Sequence, residues 1–197
     1  MRASTRREFV AGPAGRVECA VDRPESTARG MALIAHPHPL YGGTLDNKVV
    51  QTLARSFLEL GYETWRPNFR GVGATEGVHD EGRGELEDLH AVLMHLNVER
   101  PVLAGFSFGA AVQARLAQRM PPERLVLVGV GVTRLQAPAV PADTLVIHGE
   151  NDDTVPLAAV LEWARPQELP VILVPGADHF FHRKLHVLRT IVTSNWK

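Results

Sequence analysis

Short apolar runs alternate with longer amphipathic stretches along most of this chain. Residues 7–11 and 17–22 alternate apolar and polar positions around "GPAGR", the pattern of an opening hairpin. "GMALIAH" (30–36), "YETW" (62–65), "PVLAGF" (101–106), "RLVLVGV" (124–130), "TLVIHG" (144–149) and "PVILV" (170–174) each read as a short strand. Between them lie helical patterns. Residues 47–60 place Val49, Val50, Leu53, Phe57 and Leu60 on one face, with Asp46 as candidate N-cap and Gly61 at the stop. Residues 85–96 turn Leu86, Leu89, Leu93 and Leu96 inward behind an acidic start, and 107–120, 156–165 and 183–196 complete the set. Strands that are apolar throughout and separated by helices predict a parallel sheet covered on both faces. The expected fold class is α/β, a mostly parallel, doubly wound sheet with an antiparallel N-terminal hairpin. With 197 residues and no repeat or long linker, one domain over 1–197 is expected.

Composition narrows the partners. The chain is 45% hydrophobic and 22% charged with a formal net charge of −1, which offers no electrostatic reason to bind nucleic acid or an anionic membrane. No apolar stretch approaches the roughly 20 residues that span a bilayer. The basic start "MRASTRREF" reads as a solvated end, and no apolar segment of a secretory signal follows it. Cys19 is the single cysteine, in the alternating stretch "RVECAVD", and reads as a half-buried strand thiol; a cytoplasmic protein is expected.

In doubly wound sheets, ligands sit beyond the carboxyl ends of the strands. That rule singles out residues 36–43, 67–77, 107, 149–156 and 176–181. Gly105-Phe106-Ser107-Phe108-Gly109 matches the G-x-S-x-G nucleophile elbow, with a strand before it and a helix after it. A strained turn lifts the serine into the crevice, flanking positions must be small, and the following amides face an oxyanion from a helix start. Such a serine needs a base, and the base an orienting carboxylate. "HGENDDTVP" offers Asp152 and Asp153, and "PGADHFFH" offers His179, each after a strand. Ser107, Asp152, His179 is the chain order that this elbow calls for.

The second oxyanion donor is expected in "AHPHPLYGGTLDNK". Pro37 and Pro39 have no N–H, which leaves His38, Leu40 or Tyr41, with Leu40 or Tyr41 favoured beside Phe108. His36 and His38 form an H-x-H pair, but no third metal ligand is suggested nearby. "FRGVGATEG" has closely spaced glycines, yet Glu76 stands where a dinucleotide motif wants its third glycine, so a turn-rich loop shaping the crevice is expected. His148 reads as packed at its strand end, and Glu150, Asp153 and Asp178 as loop or capping carboxylates. His182 reads as solvated or packed; His79, His90, His95 and His186 as ordinary surface or interface residues.

Taken together, "HPHPLYGGTLDNKVVQTLA", "PNFRGVGATEG", "GFSFGAAVQ", "HGENDDTVP" and "GADHFFH" resemble, in order, the signature blocks of the α/β-hydrolase superfamily. Within it the chain is similar to small bacterial hydrolases of the dienelactone-hydrolase and serine-esterase type. The resemblance implies Ser107 as nucleophile, His179 as base and Asp152 as acid, since the H-G-x-x-D-x-x-V-P frame selects Asp152 over Asp153. It also implies no metal and no organic cofactor. Only residues 132–142 lie where larger relatives carry a lid, so an uncapped cleft is expected. Tyr41, Phe180 and Phe181, with Leu40 and Phe108, are expected to line it and to favour small carboxylic esters or thioesters over charged substrates. A peptidase or amidase on the same residues, and a non-catalytic binding protein of the same fold, are the rival readings.

Overall fold

A computed structural model describes residues 5–196; the expectation of a solvated basic start falls partly on 1–4, outside the described residues. In chain order the strands and helices are β1 (Arg6–Gly12), β2 (Gly15–Asp22), β3 (Gly30–Ala35), α1 (Lys48–Glu59), β4 (Tyr62–Pro67), α2 (Arg83–Leu96), β5 (Val102–Phe106), α3 (Phe108–Arg119), β6 (Arg124–Val128), β7 (Leu145–Gly149), α4 (Leu157–Ala164), β8 (Val171–Val174) and α5 (Leu185–Ser194). Short 3-10 turns lie at Pro39–Tyr41 and Arg165–Gln167. Eight strands form one sheet in the order β1-β2-β4-β3-β5-β6-β7-β8. β1 and β2 form the expected hairpin, β2 also runs antiparallel to β4, and every later pairing is parallel.

The apolar strands are explained by two cores, one on each side of the sheet. Met31, Leu33, Leu103, Leu125, Leu127 and Val146 point to the side covered by α2, α3 and α4. Their alternates Ala32, Ile34, Val102, Ala104, Val126 and Ile147 point to the side covered by α1 and α5. Period-two side chains with helices on both faces leave no strand position for water, hence runs without polar alternation. Among the described residues, no helix is long and apolar enough to cross a membrane.

Several expectations shift locally. The cap of α1 is Asn47, whose Oδ1 accepts from the Val49 amide at 2.9 Å, while Asp46 pairs with Arg7. α2 begins at Arg83 because buried Glu85 reaches back to accept from the Gly82 amide at 2.9 Å. Cys19 is wholly buried, not half-buried, and burial pushes its thiol up to about 12. The glycine loop after β4 turns to the hairpin rather than to the crevice: Glu76 accepts from the Arg16 amide at 2.8 Å, and Glu18 accepts from the Ala74 amide at 2.9 Å.

Candidate active site

β5 ends and α3 begins within two residues, and Ser107 absorbs the change of direction. Its φ of 56° and ψ of −116° are backbone values that L-residues avoid. The turn is held by the Ser107 amide donating to Val128 O at 2.9 Å and by Gly131 N–H donating to Ser107 O at 3.1 Å. Close approach explains the flanking glycines. A Cβ on Gly105 would stand 2.5 Å from Gly109 O, and one on Gly109 would stand 2.4 Å from His36 O. The elbow is therefore wedged between β3 and its own helix.

β7 and β8 bring the other two groups to the same edge. His179 Nε2 lies 3.0 Å from Ser107 Oγ, and its Nδ1 lies 2.6 Å from Asp152 Oδ2. The second oxygen of Asp152 accepts from the Thr154 and Val155 amides at 3.0 and 2.7 Å. Burial pushes the Asp152 carboxyl up, but the His179 and Val155 hydrogen bonds outweigh it and hold it below its ordinary value. An ionised Asp152 requires the His179 proton on Nδ1, which leaves Nε2 as acceptor towards the serine. Phe106 is fully buried with its ring 4.8 Å from the imidazole, which it packs from behind.

Two further histidines brace this arrangement. His148 donates from Nε2 to Val155 O at 3.0 Å and lies 3.7 Å from Asp152 Oδ2, closing the 149–155 loop around the carboxylate. It is fully buried, and burial keeps it below the usual imidazole range, as a packed histidine would be. His36 accepts from the Phe69 amide at 2.9 Å and donates to Pro37 O at 2.6 Å, with burial pushing it down to about 4. With both nitrogens engaged inside the protein, His36 is a strut between the ends of β3 and β4.

The loop after β3 departs from the expected roles. The Leu40 amide donates to His38 Nδ1 at 3.3 Å, and the Tyr41 amide donates to His38 O at 3.1 Å. The 3-10 turn that Pro39 starts consumes both amides locally, so neither is free for an oxyanion. Among the described residues, the amides of His38 and of Phe108, at the first turn of α3, have no hydrogen-bond acceptor. Phe181 is likewise moved: at φ 55° it is wholly buried in the core against α5, whereas Phe180 faces the cleft. His79, expected as an ordinary surface or interface residue, is nearly buried, bonded to Glu85 at 2.7 Å with its ring 4.8 Å from that of His38.

Two chambers meet at Ser107. One, of about 100 Å³, is lined by Phe108, Gly131, Thr133, Leu135 and Val155. The other, of about 330 Å³, is lined by Gly42, Gly43, Asn47, His179 and Phe180. His38, Tyr41, Arg134 and Thr154 border both. Gly131, Thr133, Arg134 and Leu135 lie outside the strand-end loops that the sequence singles out. They follow β6, and the same strand-end rule applied to that strand finds them.

The alpha/beta hydrolase fold family matches residues 39–130. A lidless α/β serine hydrolase of Xanthomonas campestris is 36% identical, with a TM-score of 0.89 over 99% of this chain and 94% of that one. An α/β serine hydrolase homologue of Coxiella burnetii is 37% identical, with a TM-score of 0.88 over 100% of both chains. An uncharacterized protein of Rickettsia prowazekii is 33% identical over 89% of this chain and 82% of its own length.

Proposed function

Because the chain belongs to the α/β-hydrolase superfamily, and within it to the small members without a lid, we propose that it cleaves small carboxylic esters or thioesters through an acyl-serine. The observation that carries this reading is the continuous hydrogen-bonded chain from Ser107 through His179 to an ionised Asp152, beside two amides without acceptors.

The steps follow from which atoms hold protons. Ser107 Oγ attacks the acyl carbon while His179 Nε2 takes the hydroxyl proton, and the charge on the carbonyl oxygen is held by the amides of Phe108 and His38. Asp152 keeps the imidazole in the accepting tautomer and stabilises its cation. The bond to the leaving oxygen or sulfur then breaks, and His179 protonates the departing group. Water attacks the acyl-serine with His179 again as base, and the carboxylic acid leaves with Ser107 restored. One ester and one water thus give one acid and one alcohol or thiol, with no cofactor.

The two chambers support a division of the substrate between its halves. The group that His179 protonates must lie on the His179 side, so the larger chamber takes the leaving group. The smaller chamber, walled by Phe108, Leu135 and Val155, takes a short acyl chain.

A fluorophosphonate probe and a substrate panel test the reading together. Wild-type protein should label and Ser107→Ala should not, and short-chain 4-nitrophenyl esters should turn over faster than aminoacyl 4-nitroanilides. Equal labelling of the two proteins would overturn the nucleophile, and faster turnover of the amides would replace the esterase by an amidase.

A further inference from the structure

The cleft has a fixed charge that the proposed chemistry does not use. Arg134 borders both chambers at Ser107 and a third recess formed by His38, Leu40, Glu81 and Phe108. Its Nη1 donates to the Tyr41 hydroxyl at 2.7 Å, and its guanidinium carbon stands 4.8 Å from the centre of the Tyr41 ring. Among the described residues, no carboxylate lies within 4.0 Å of Arg134, whereas Arg66, Arg70 and Arg189 each meet one directly. A guanidinium carries five N–H donors in a planar fork, and Tyr41 takes one of them while fixing the plane.

The segment that carries Arg134 is braced. Gly131 is bonded to Ser107 O, Leu135 is buried, and Trp163 Nε1 donates to Ala137 O at 3.0 Å. Arg134 is thus held a few residues from a point pinned to the nucleophile's own backbone. The walls around it at Ser107 are apolar or neutral, apart from the histidines, and no acidic residue lines either chamber. The expectation that the cleft disfavours charged substrates rests on Leu40 and the aromatic residues. The arginine changes that balance.

We propose that Arg134 is a specificity-determining residue that binds an ionised carboxylate on the substrate, so that the favoured substrate is a small ester bearing a second, free acid group. Tyr41 is its positioning partner. The carboxylate enters on the acyl side or on the alcohol side, because Arg134 borders both chambers. This inference rests on the hydrolase reading above, and its test is built to separate the two.

Two matched pairs distinguish the sides: mono-4-nitrophenyl succinate against 4-nitrophenyl butyrate, and 4-acetoxybenzoate against its methyl ester. For each pair the reading is the ratio of kcat/KM, charged over neutral. At least one ratio should fall about tenfold in Arg134→Leu, recover partly in Arg134→Lys, and shrink in wild-type protein as salt rises. The pair that responds identifies the side. A free dicarboxylate, glutarate, provides the arm that needs no turnover: it should raise the unfolding temperature of wild-type protein and not of Arg134→Leu. Ratios that Arg134→Leu leaves unchanged in both pairs would overturn the proposal while leaving the hydrolase intact. If no ester is cleaved and Ser107 does not label, the hydrolase reading fails, and the glutarate arm still decides the anion site.

Discussion

Replacing Asp152 by asparagine isolates the tautomer argument, because the structure dictates how the amide must sit. One carboxylate oxygen accepts from two backbone amides, Thr154 at 3.0 Å and Val155 at 2.7 Å. Only the carbonyl oxygen of an asparagine satisfies those donors, so its NH₂ must occupy the place of Oδ2, 2.6 Å from His179 Nδ1. Two donors cannot share that contact. The imidazole resolves it by moving its proton to Nε2, which then points a donor at Ser107 and cannot take the hydroxyl proton. A wrong tautomer of this kind costs ~10⁴-fold in serine proteases with the same arrangement. That corresponds to about 5.4 kcal/mol of transition-state stabilisation at 1.36 kcal/mol per tenfold. The substitution is nearly isosteric, so the folded state should persist. The assay is kcat/KM on a short-chain 4-nitrophenyl ester near neutral pH, with circular dichroism to confirm the fold. A folded Asp152→Asn protein within tenfold of wild type would refute the assignment of both Asp152 and the proton on Nδ1.

Three other outcomes follow from the same geometry. Gly109→Ala forces a Cβ to 2.4 Å from His36 O and 2.5 Å from Ala35 O, backbone atoms that cannot swing away. It should cost at least about 2 kcal/mol, a fall of roughly 4–8 °C in unfolding temperature by calorimetry. Ser107→Gly and Ser107→Ala both lose the hydroxyl, but only alanine keeps a Cβ at φ 56°, so the glycine variant should be the more stable by about 1 kcal/mol, reversing the usual glycine penalty. Burial holds His36 down to about 4 when folded, below the ordinary imidazole value of 6.5. Its depressed value means that stability is intact above pH 6.5 and is lost as pH falls towards 4, by about 3 kcal/mol at 1.36 kcal/mol per unit. Urea unfolding across that window should show this slope in wild type and a flatter one in His36→Gln.

Much of the architecture is legible in the sequence because it depends on local patterns. The apolar strands, the amphipathic α1 and α2, and the G-x-S-x-G elbow between β5 and α3 follow from periodicity and from the need for small residues at a strained turn. The strand-end rule places Ser107, Asp152 and His179 at one edge, and the fold brings them within hydrogen-bonding distance. What periodicity cannot supply is the destination of individual amides and rings. The Leu40 and Tyr41 amides are consumed by a 3-10 turn, and Phe181 is drawn into the core because a left-handed residue reverses the chain after His179. No local pattern in the sequence marks Arg134, a charged residue in an irregular connector. Its place at the cleft depends on long-range contacts: Gly131 with Ser107, Trp163 with Ala137, and Tyr41 beneath the guanidinium. The sequence alone thus determines the fold class and the order in which Ser107, Asp152 and His179 reach one sheet edge, since these rest on local periodicity and short spacing. Only the tertiary structure decides which amides remain unpaired and which charge overlooks Ser107, because both depend on what distant segments leave unsatisfied when they meet.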